Sequence, residues 1–341
     1  MSEFTLDPAP GKSTEGKSSK SALIKKTPIE GTSVENTSIE GASIKGNSVE
    51  NTSIEGISTK RSGTRDHLIY VLRSNPVTLL AFGMLTFLIL CAALGPTLVP
   101  YDPLQTNAAN ALMPPSWAHW FGTDNVGRDV FSRVIVATRL DLSISVAAVA
   151  LSFVVGSILG AIAGYWGGWL DIILNRCLDT IMAFPLFVLA MGIVAALGNT
   201  IENIIYATAI INMPFYARLV RAEVNIRRDA GFARAAKLSG NSDLRVLAMH
   251  IFPNALPPMM VQVSLNLGWA ILNAAGLSFI GLGVRPPTPE WGIMVAEGAN
   301  FIVSGEWWLA VFPGLWLMIA VFTFNLLGDG LRDIVDPRKR T

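Results

Sequence analysis

Six apolar segments of about 20 residues dominate the sequence after its first quarter. A helix of that length crosses the hydrocarbon core of a bilayer, with every backbone polar group paired inside the segment. The composition agrees, because only 15% of the residues are charged, against about 25% in soluble domains. The chain is therefore predicted to be an all-α membrane protein with six transmembrane helices. The segments lie at about 77–99, 141–164, 178–197, 203–220, 257–281 and 308–329.

Residues 1–65 form a polar tail that contains a repeat of period five, and the string SVENTSIEG occurs in it twice, at 33–41 and 48–56. This period matches neither a helix nor a strand. A pentapeptide-repeat β-helix is one interpretation, but six copies would build too few coils to bury a core. A disordered cytoplasmic tail is favoured. The membrane domain is then 66–341, beginning with a short interfacial helix at 66–75.

The second apolar segment carries a regular row of glycines. Gly156, Gly160 and Gly164 recur at four-residue intervals. Small residues at this spacing let two membrane helices approach closely in lipid. The row predicts close helix packing.

The polar stretch at residues 221–256 separates two apolar segments and is densely basic. Its local signals predict two short helices joined by a glycine. Asp229 is placed to cap the first helix, Gly240 to end it, and Asn241 or Ser242 to cap the second. The basic residues are Arg221, Arg227, Arg228, Arg234, Lys237 and Arg245.

Each of these two predicted helices has one distinctive face. Small residues share a face of the first helix, and apolar residues recur at i, i+3, i+4 and i+7 in the second. Two interpretations stay open: the element docks in the groove of a partner protein, or it rests on anionic lipid headgroups. The first face comprises Phe232, Ala235, Ala236 and Ser239, and the second comprises Leu244, Leu247, Ala248 and Ile251.

This stretch also resembles a known family. Ala235-Ala236, Gly240 after a three-residue gap, and the string HIFPN at 250–254 resemble the EAA loop of ABC importer permeases. The resemblance implies a type I importer permease fold, in which this loop is a cytoplasmic coupling helix seated in a separate ATPase subunit. At Arg234 the chain departs from the glutamate usual in the family, so a salt bridge made by that glutamate does not carry over. The expected coupling residues are Phe232, Arg234, Ala235, Ala236, Gly240, His250, Pro253 and Asn254.

Three further strings resemble the dipeptide and oligopeptide branch of these permeases. They are HWFGTDNVGRDVFSR at 119–133, PPTPEWG at 286–292 and NLLGDGLRD at 325–333. For Arg128 and Asp129, in the first string, an exposed loop ion pair is the plainer interpretation. The resemblance extends from about residue 68 to the C-terminus, and the repeat tail lies outside it.

This resemblance implies one transmembrane subunit of an ATP-driven bacterial importer, working by alternating access. The implied partners are a second homologous permease, two cytoplasmic ATPases and an extracytoplasmic substrate-binding protein, besides the lipid bilayer. Di- or oligopeptides are the expected cargo, and nickel chelates, glutathione and opines are the alternatives. ATP and Mg²⁺ are expected in the ATPase subunits, and no cofactor in this chain.

The distribution of positive charge predicts the orientation. With six spans, the tail, the 221–256 stretch and the C-terminus share one side, and most of the arginines and lysines outside the spans lie there. Such charges favour the cytoplasmic side. The chain is therefore expected in the bacterial inner membrane, multi-pass, with both termini in the cytoplasm.

The sequence offers little chemistry of its own. It has no GxxxxGK[ST] phosphate-binding loop, and its three histidines and two cysteines are far apart, so neither an enzyme nor a metal site is predicted. No basic run is interleaved with aromatics, so nucleic-acid binding is not expected. A channel or secondary carrier acting alone is the alternative from another class. It is disfavoured because ionisable residues are almost absent from the predicted spans.

Overall fold

The computed structural model describes residues 76–335, with side chains as far as residue 333, and this part of the chain is helical. The expectations for 1–65, 66–75 and the last six residues lie outside it. We number the helices α1 Pro76–Leu98, α2 Val130–Trp166, α3 Gly168–Ala183, α4 Leu186–Leu197, α5 Ile201–Arg227, α6 Gly231–Leu238, α7 Asp243–Phe279, α8 Trp291–Ala299 and α9 Trp308–Val335.

Four of the described helices, α1, α2, α7 and α9, are long and apolar enough to cross a membrane, and α3 with α4 supplies a fifth span if that bent pair is one. The segment expected as the fourth span is helical as α5, but it is not among these apolar helices. Buried polar side chains on α5 include those of Thr208 and Asn212.

The expected single helix at 178–197 is wrong, because the chain breaks at Phe184-Pro185. The helices α3 and α4 meet there at an angle of 90°. Phe184 is extended, with φ −84° and ψ 147°. Proline clashes with a helical residue before it and lacks an amide hydrogen, so the preceding helix ends.

The helix expected at 141–164 is longer than predicted, since α2 begins at Val130 and has 37 residues. At 1.5 Å per residue it measures about 55 Å, against a hydrocarbon core of about 30 Å. Part of α2 therefore extends beyond the hydrocarbon core. Asp141, on its fourth turn, is buried beside α8.

The close packing expected from the glycine row is confirmed between α2 and α5. A Cβ atom at Gly160 would lie 2.2 Å from the Ala217 carbonyl oxygen. The same atom at Gly156 or Gly164 would lie 2.7 or 2.6 Å from a carbonyl oxygen of α5. These distances leave no room for a side chain, so the two helices are in backbone contact.

Before α2, a buried polar network fixes the long loop. The alternative interpretation, an exposed ion pair between Arg128 and Asp129, is wrong because each residue has another partner. Arg128 Nε donates to Asp124 Oδ2 at 2.6 Å, and His119 Nδ1 lies 2.9 Å from Asp129 Oδ1. Asp129 also accepts the Ser132 amide at 2.8 Å, which caps α2. Both pairs are largely buried, so this loop is an ordered part of the domain.

The PPTPEWG string ends in a buried cap that joins α8 to α2. Glu290 accepts the amides of Gly292 and Ile293 at 2.9 and 2.8 Å. The next residue, Trp291, is fully buried, and its Nε1 donates to the Val134 carbonyl at 3.0 Å. Burial raises the pKa of the Glu290 carboxyl, which also hydrogen-bonds Asp141. The cap therefore anchors this loop on α2.

We expect Glu290→Ala to lower the free energy of unfolding by about 2 kcal/mol, because two buried amides lose their acceptor. Glu290→Gln is the matched control, since its carbonyl oxygen still accepts one amide and its NH₂ still reaches Asp141. Thermal unfolding of the purified protein in detergent measures both. Equal losses for the two variants would contradict the capping role.

Candidate coupling site

The 221–256 stretch folds as the end of α5, the short helix α6 and the start of α7. The predicted stop at Gly240 is confirmed, because its φ is +83° and its amide donates to the Lys237 carbonyl at 3.0 Å. Glycine adopts this left-handed conformation without steric cost. Asn241 then donates through Nδ2 to the Ala236 carbonyl at 2.9 Å, which satisfies an end-of-helix oxygen. The turn is therefore closed by the residues at its centre.

The predicted caps of these helices are not formed by side chains. Ala230, not Asp229, is the N-cap of α6, and Arg234 Nε donates to the Asp229 carbonyl at 2.8 Å. Ser242 holds the N-cap position of α7 without a side-chain hydrogen bond. The sequence pattern located the ends of the two helices to within about one residue. It did not show whether a side chain caps them, because capping also depends on the local backbone geometry.

The predicted small-residue face of α6 is divided between inside and outside. Ala233 and Ala236 are 0% and 8% exposed, packed against the ends of α2, α5 and α7. Phe232 is 44% exposed and Ala235 is also exposed. Because Ala236 is covered by this chain's own core, its placement on an outer docking face is wrong. Ala235 and Phe232 remain available to a partner, together with Arg234, Leu238 and Ser239.

The predicted apolar stripe of the second helix is present but only partly buried. Leu247 and Ile251 are buried, but Leu244 is 66% exposed and Ala248 is also exposed. Leu244, Leu247 and Ala248 line one side of an open apolar cleft between α7 and α2, which explains the exposure. The residues Val246–Ile251 within this region form a π-helical stretch.

The remaining expected coupling residues follow on α7. His250 is half-buried, and Pro253 and Asn254 are exposed. The Asn254 side-chain amide donates to the carbonyl of His250, which lies in the π-helical stretch, at 2.6 Å. The HIFPN string thus covers the end of the π-helical stretch and the start of the regular α-helical part of α7.

A three-residue tether that sequence reasoning missed holds α6 in place. Lys237 Nζ lies 2.8 Å from Asp243 Oδ1, and the Tyr165 hydroxyl donates to the same oxygen at 2.7 Å. The hydrogen bond to Asp243 raises the pKa of Lys237, so the lysine is charged at neutral pH. The tether joins α6 to the start of α7 and to the end of α2. A lysine and an aspartate on either side of Gly240 were the only sequence signal for it.

Much of the positive charge in this stretch is neutralised within the chain. Four of its six basic residues pair with carboxylates: Arg221 with Asp171, Arg227 with Glu223, Arg228 with Asp229 and Lys237 with Asp243. A surface that binds anionic headgroups depends on unpaired cations. The ion pairs therefore favour docking on a protein over resting on lipid.

Comparisons with known proteins agree on one family. Residues 156–341 match the family described as the inner membrane component of binding-protein-dependent transport systems. Residues 68–115 match the N-terminal transmembrane domain of oligopeptide transport permease C.

Individual relatives cover most of the chain. The dipeptide transport system permease protein DppC of Alkalihalophilus pseudofirmus is 43% identical over 79% of this chain and 88% of its own length. The probable D,D-dipeptide permease DdpC of Escherichia coli is 41% identical over 80% and 91%. The glutathione permease GsiD of Pectobacterium atrosepticum is 38% identical over 76% and 87%.

Proposed function

Since this chain belongs to the dipeptide/oligopeptide branch of the ABC importer permeases, we propose that α6 is the helix through which a cytoplasmic ATPase drives it. The chain is a multi-pass inner membrane subunit and not itself an enzyme. The proposal also includes six membrane crossings, with α3 and α4 together as the third and α5 as the fourth. A second permease, two ATPases that bind ATP and Mg²⁺, and a substrate-binding protein complete the importer.

The observation that carries the coupling role is the exposed outer face of α6 on a fixed base. Phe232 and Leu238 are 44% and 90% exposed, although large apolar side chains on a short, polar helix gain by burial. Behind them, Ala233 and the Lys237–Asp243 pair hold the helix to the bundle. A helix that exposes two large apolar side chains and is anchored on its inner face suits the groove of a partner.

The orientation and the docking can be tested together by thiol labelling. Both native cysteines, Cys91 and Cys177, are first replaced by alanine, and Leu238→Cys is introduced. We expect an impermeant thiol reagent to leave this position unlabelled in spheroplasts and to label it in inside-out vesicles stripped of ATPase. Adding the ATPase back should then protect it, because α6 is covered by the partner.

The matched control is Trp117→Cys, since Trp117 is 98% exposed in the loop before α2. It should label in spheroplasts, on the opposite side of the membrane. Labelling of Leu238→Cys from outside would overturn the topology. Labelling that the ATPase does not change would overturn docking through α6.

We propose di- or oligopeptides as the cargo, which rests on the relatives named for dipeptide transport. Glutathione is the second candidate, because one relative is a glutathione permease. Uptake of a labelled dipeptide by cells with the complete importer, in competition with longer peptides and glutathione, distinguishes them. Uptake by the isolated chain in liposomes would instead support a carrier that acts alone.

A further inference from the structure

A cleft between α4, α5, α7 and α9 has a polar lining that the coupling role does not use. Its volume is about 410 Å³, within the range of small-molecule sites. Five carboxamides and one indole ring line it, together with apolar residues. We call it the amide cleft, and these six residues are Asn212, Gln262, Asn266, Trp269, Asn273 and Asn325.

Most of this lining is a single stripe along α7. Gln262, Asn266, Trp269 and Asn273 stand at i, i+4, i+7 and i+11, which places them on one face of the helix. At 1.5 Å per residue the stripe is about 16 Å long, half the thickness of a hydrocarbon core. The amides therefore form a continuous polar track within a helix that is apolar enough to span the membrane.

Three of the amides have oxygen atoms that accept no hydrogen bond from the described residues. The Nδ2 atoms of Asn212, Asn273 and Asn325 donate to carbonyls one turn back on their own helices, at 2.8, 3.0 and 3.0 Å. Within residues 76–335, their Oδ1 atoms accept no hydrogen bond. Each side chain is thereby fixed in orientation with a free acceptor.

Asn266, in the middle of the stripe, also has a polar group without a regular hydrogen bond. Asn266 is 5% exposed and accepts from Gln262 Nε2 at 3.0 Å. Its own Nδ2 and the Tyr216 hydroxyl, which interact with each other, are both buried without a hydrogen bond of ordinary geometry in the described part of the chain. Tyr216 is not part of the cleft lining. The Asn266 side chain is thus turned partly towards α5, and the polar groups that the cleft offers are chiefly the amide oxygens of Asn212, Asn273 and Asn325.

Two other clefts provide the contrast. One between α2 and α7 has a volume of about 640 Å³, and one between α1 and α2 of about 390 Å³. Their linings are almost wholly apolar, as expected where lipid or another helix packs. Polar side chains within membrane spans are costly and mark functional pathways. The amide cleft therefore differs from its neighbours in chemistry, at a similar size.

We propose that the amide cleft is a contact site for the solute during its passage, and that its carboxamides accept hydrogen bonds from the N–H groups of a peptide. This rests on the proposed peptide cargo. The lining has no ionisable side chain, so it neither attracts nor repels particular charged side chains. Amide acceptors bind the repeating backbone N–H groups that all peptides share. The site therefore suits peptides of many sequences.

Water access is tested first, because it does not depend on the cargo. In the assembled importer without native cysteines, Asn273→Cys is treated with a small, water-soluble thiol reagent. We expect labelling that a transported dipeptide slows. The control is Leu272→Cys, because Leu272 is 50% exposed but lies outside the cleft lining; its labelling should not respond to dipeptide. An unlabelled Asn273→Cys would show a dry interface with the second permease and overturn the proposal.

Transport kinetics test the hydrogen bonds themselves. Asn273→Leu should raise the KM for dipeptide uptake about tenfold, the effect of losing about one hydrogen bond. Asn300→Leu is the matched control, since Asn300 donates to the carbonyl one turn back in the same way but lies outside the cleft. Equal KM values for the two variants overturn the proposal. If the wild type takes up another solute and no dipeptide, but Asn273→Cys is labelled and protected by that solute, the peptide cargo fails and the contact site stands.

Discussion

Replacing Gly240 with valine is expected to reduce ATP-dependent uptake about tenfold or more, while the protein still inserts into the membrane. Gly240 has a φ of +83°, and a residue with a Cβ atom pays about 1–2 kcal/mol in that conformation. A β-branched residue is worse, so the turn between α6 and α7 should change shape. A strain of about 1.4 kcal/mol lowers the population of the correctly shaped turn about tenfold, which sets the expected loss of uptake. With α6 misplaced, ATP hydrolysis should no longer drive transport. Uptake and substrate-stimulated ATPase activity of the reconstituted importer measure the effect.

The matched control is Gly240→Asn. Nothing lies within 4 Å of a Cβ atom at this position, and asparagine tolerates the left-handed region better than other side chains. Gly240→Asn should therefore retain most of the uptake. If valine were as active as asparagine, the left-handed turn would not be needed for coupling.

Gly160→Ala is expected to lower the free energy of unfolding by about 2 kcal/mol and the unfolding temperature by about 5 °C. The new methyl group would lie 2.2 Å from the Ala217 carbonyl oxygen. That atom belongs to the backbone of α5, so the two helices must separate. Fluorescence-detected thermal unfolding of the purified protein in detergent gives the shift.

Gly83→Ala separates this clash from the general effect of adding a methyl group to a helix. Gly83 lies in α1 with nothing within 4 Å of a Cβ atom. Alanine favours helix over glycine by about 1 kcal/mol, so this variant should be neutral or slightly stabilised. Similar destabilisation of both variants would contradict the backbone contact between α2 and α5.

Hydrophobic length predicted the long helices well, because α1, α2, α7 and α9 are both apolar and long. It failed at Pro185, which divides the third predicted segment into two helices. The fourth predicted segment is helical as α5, although α5 is not among the helices apolar enough to cross a membrane on that criterion alone. Length and hydropathy average over a whole segment, so they miss a break caused by one proline.

At the candidate coupling site, the sequence identified the position and the structure supplied the orientation. The glycine stop at Gly240 follows from local backbone preference, and it is confirmed. The inward placement of Ala236 and the exposure of Leu244 beside an open cleft depend on tertiary packing. The Tyr165–Asp243 hydrogen bond spans 78 residues, which no local pattern reveals.

The length of α2 has a mechanical consequence. Its first turn is tied to the ordered loop through Asp129 and Ser132, and its last turn is tied to the α6–α7 turn through Tyr165. Between them runs one unbroken rod of 37 residues, in contrast to the jointed pair α3 and α4. The α2 helix thus connects the two ends of the bundle rigidly. A displacement of one end along the α2 axis should therefore be transmitted to the other end.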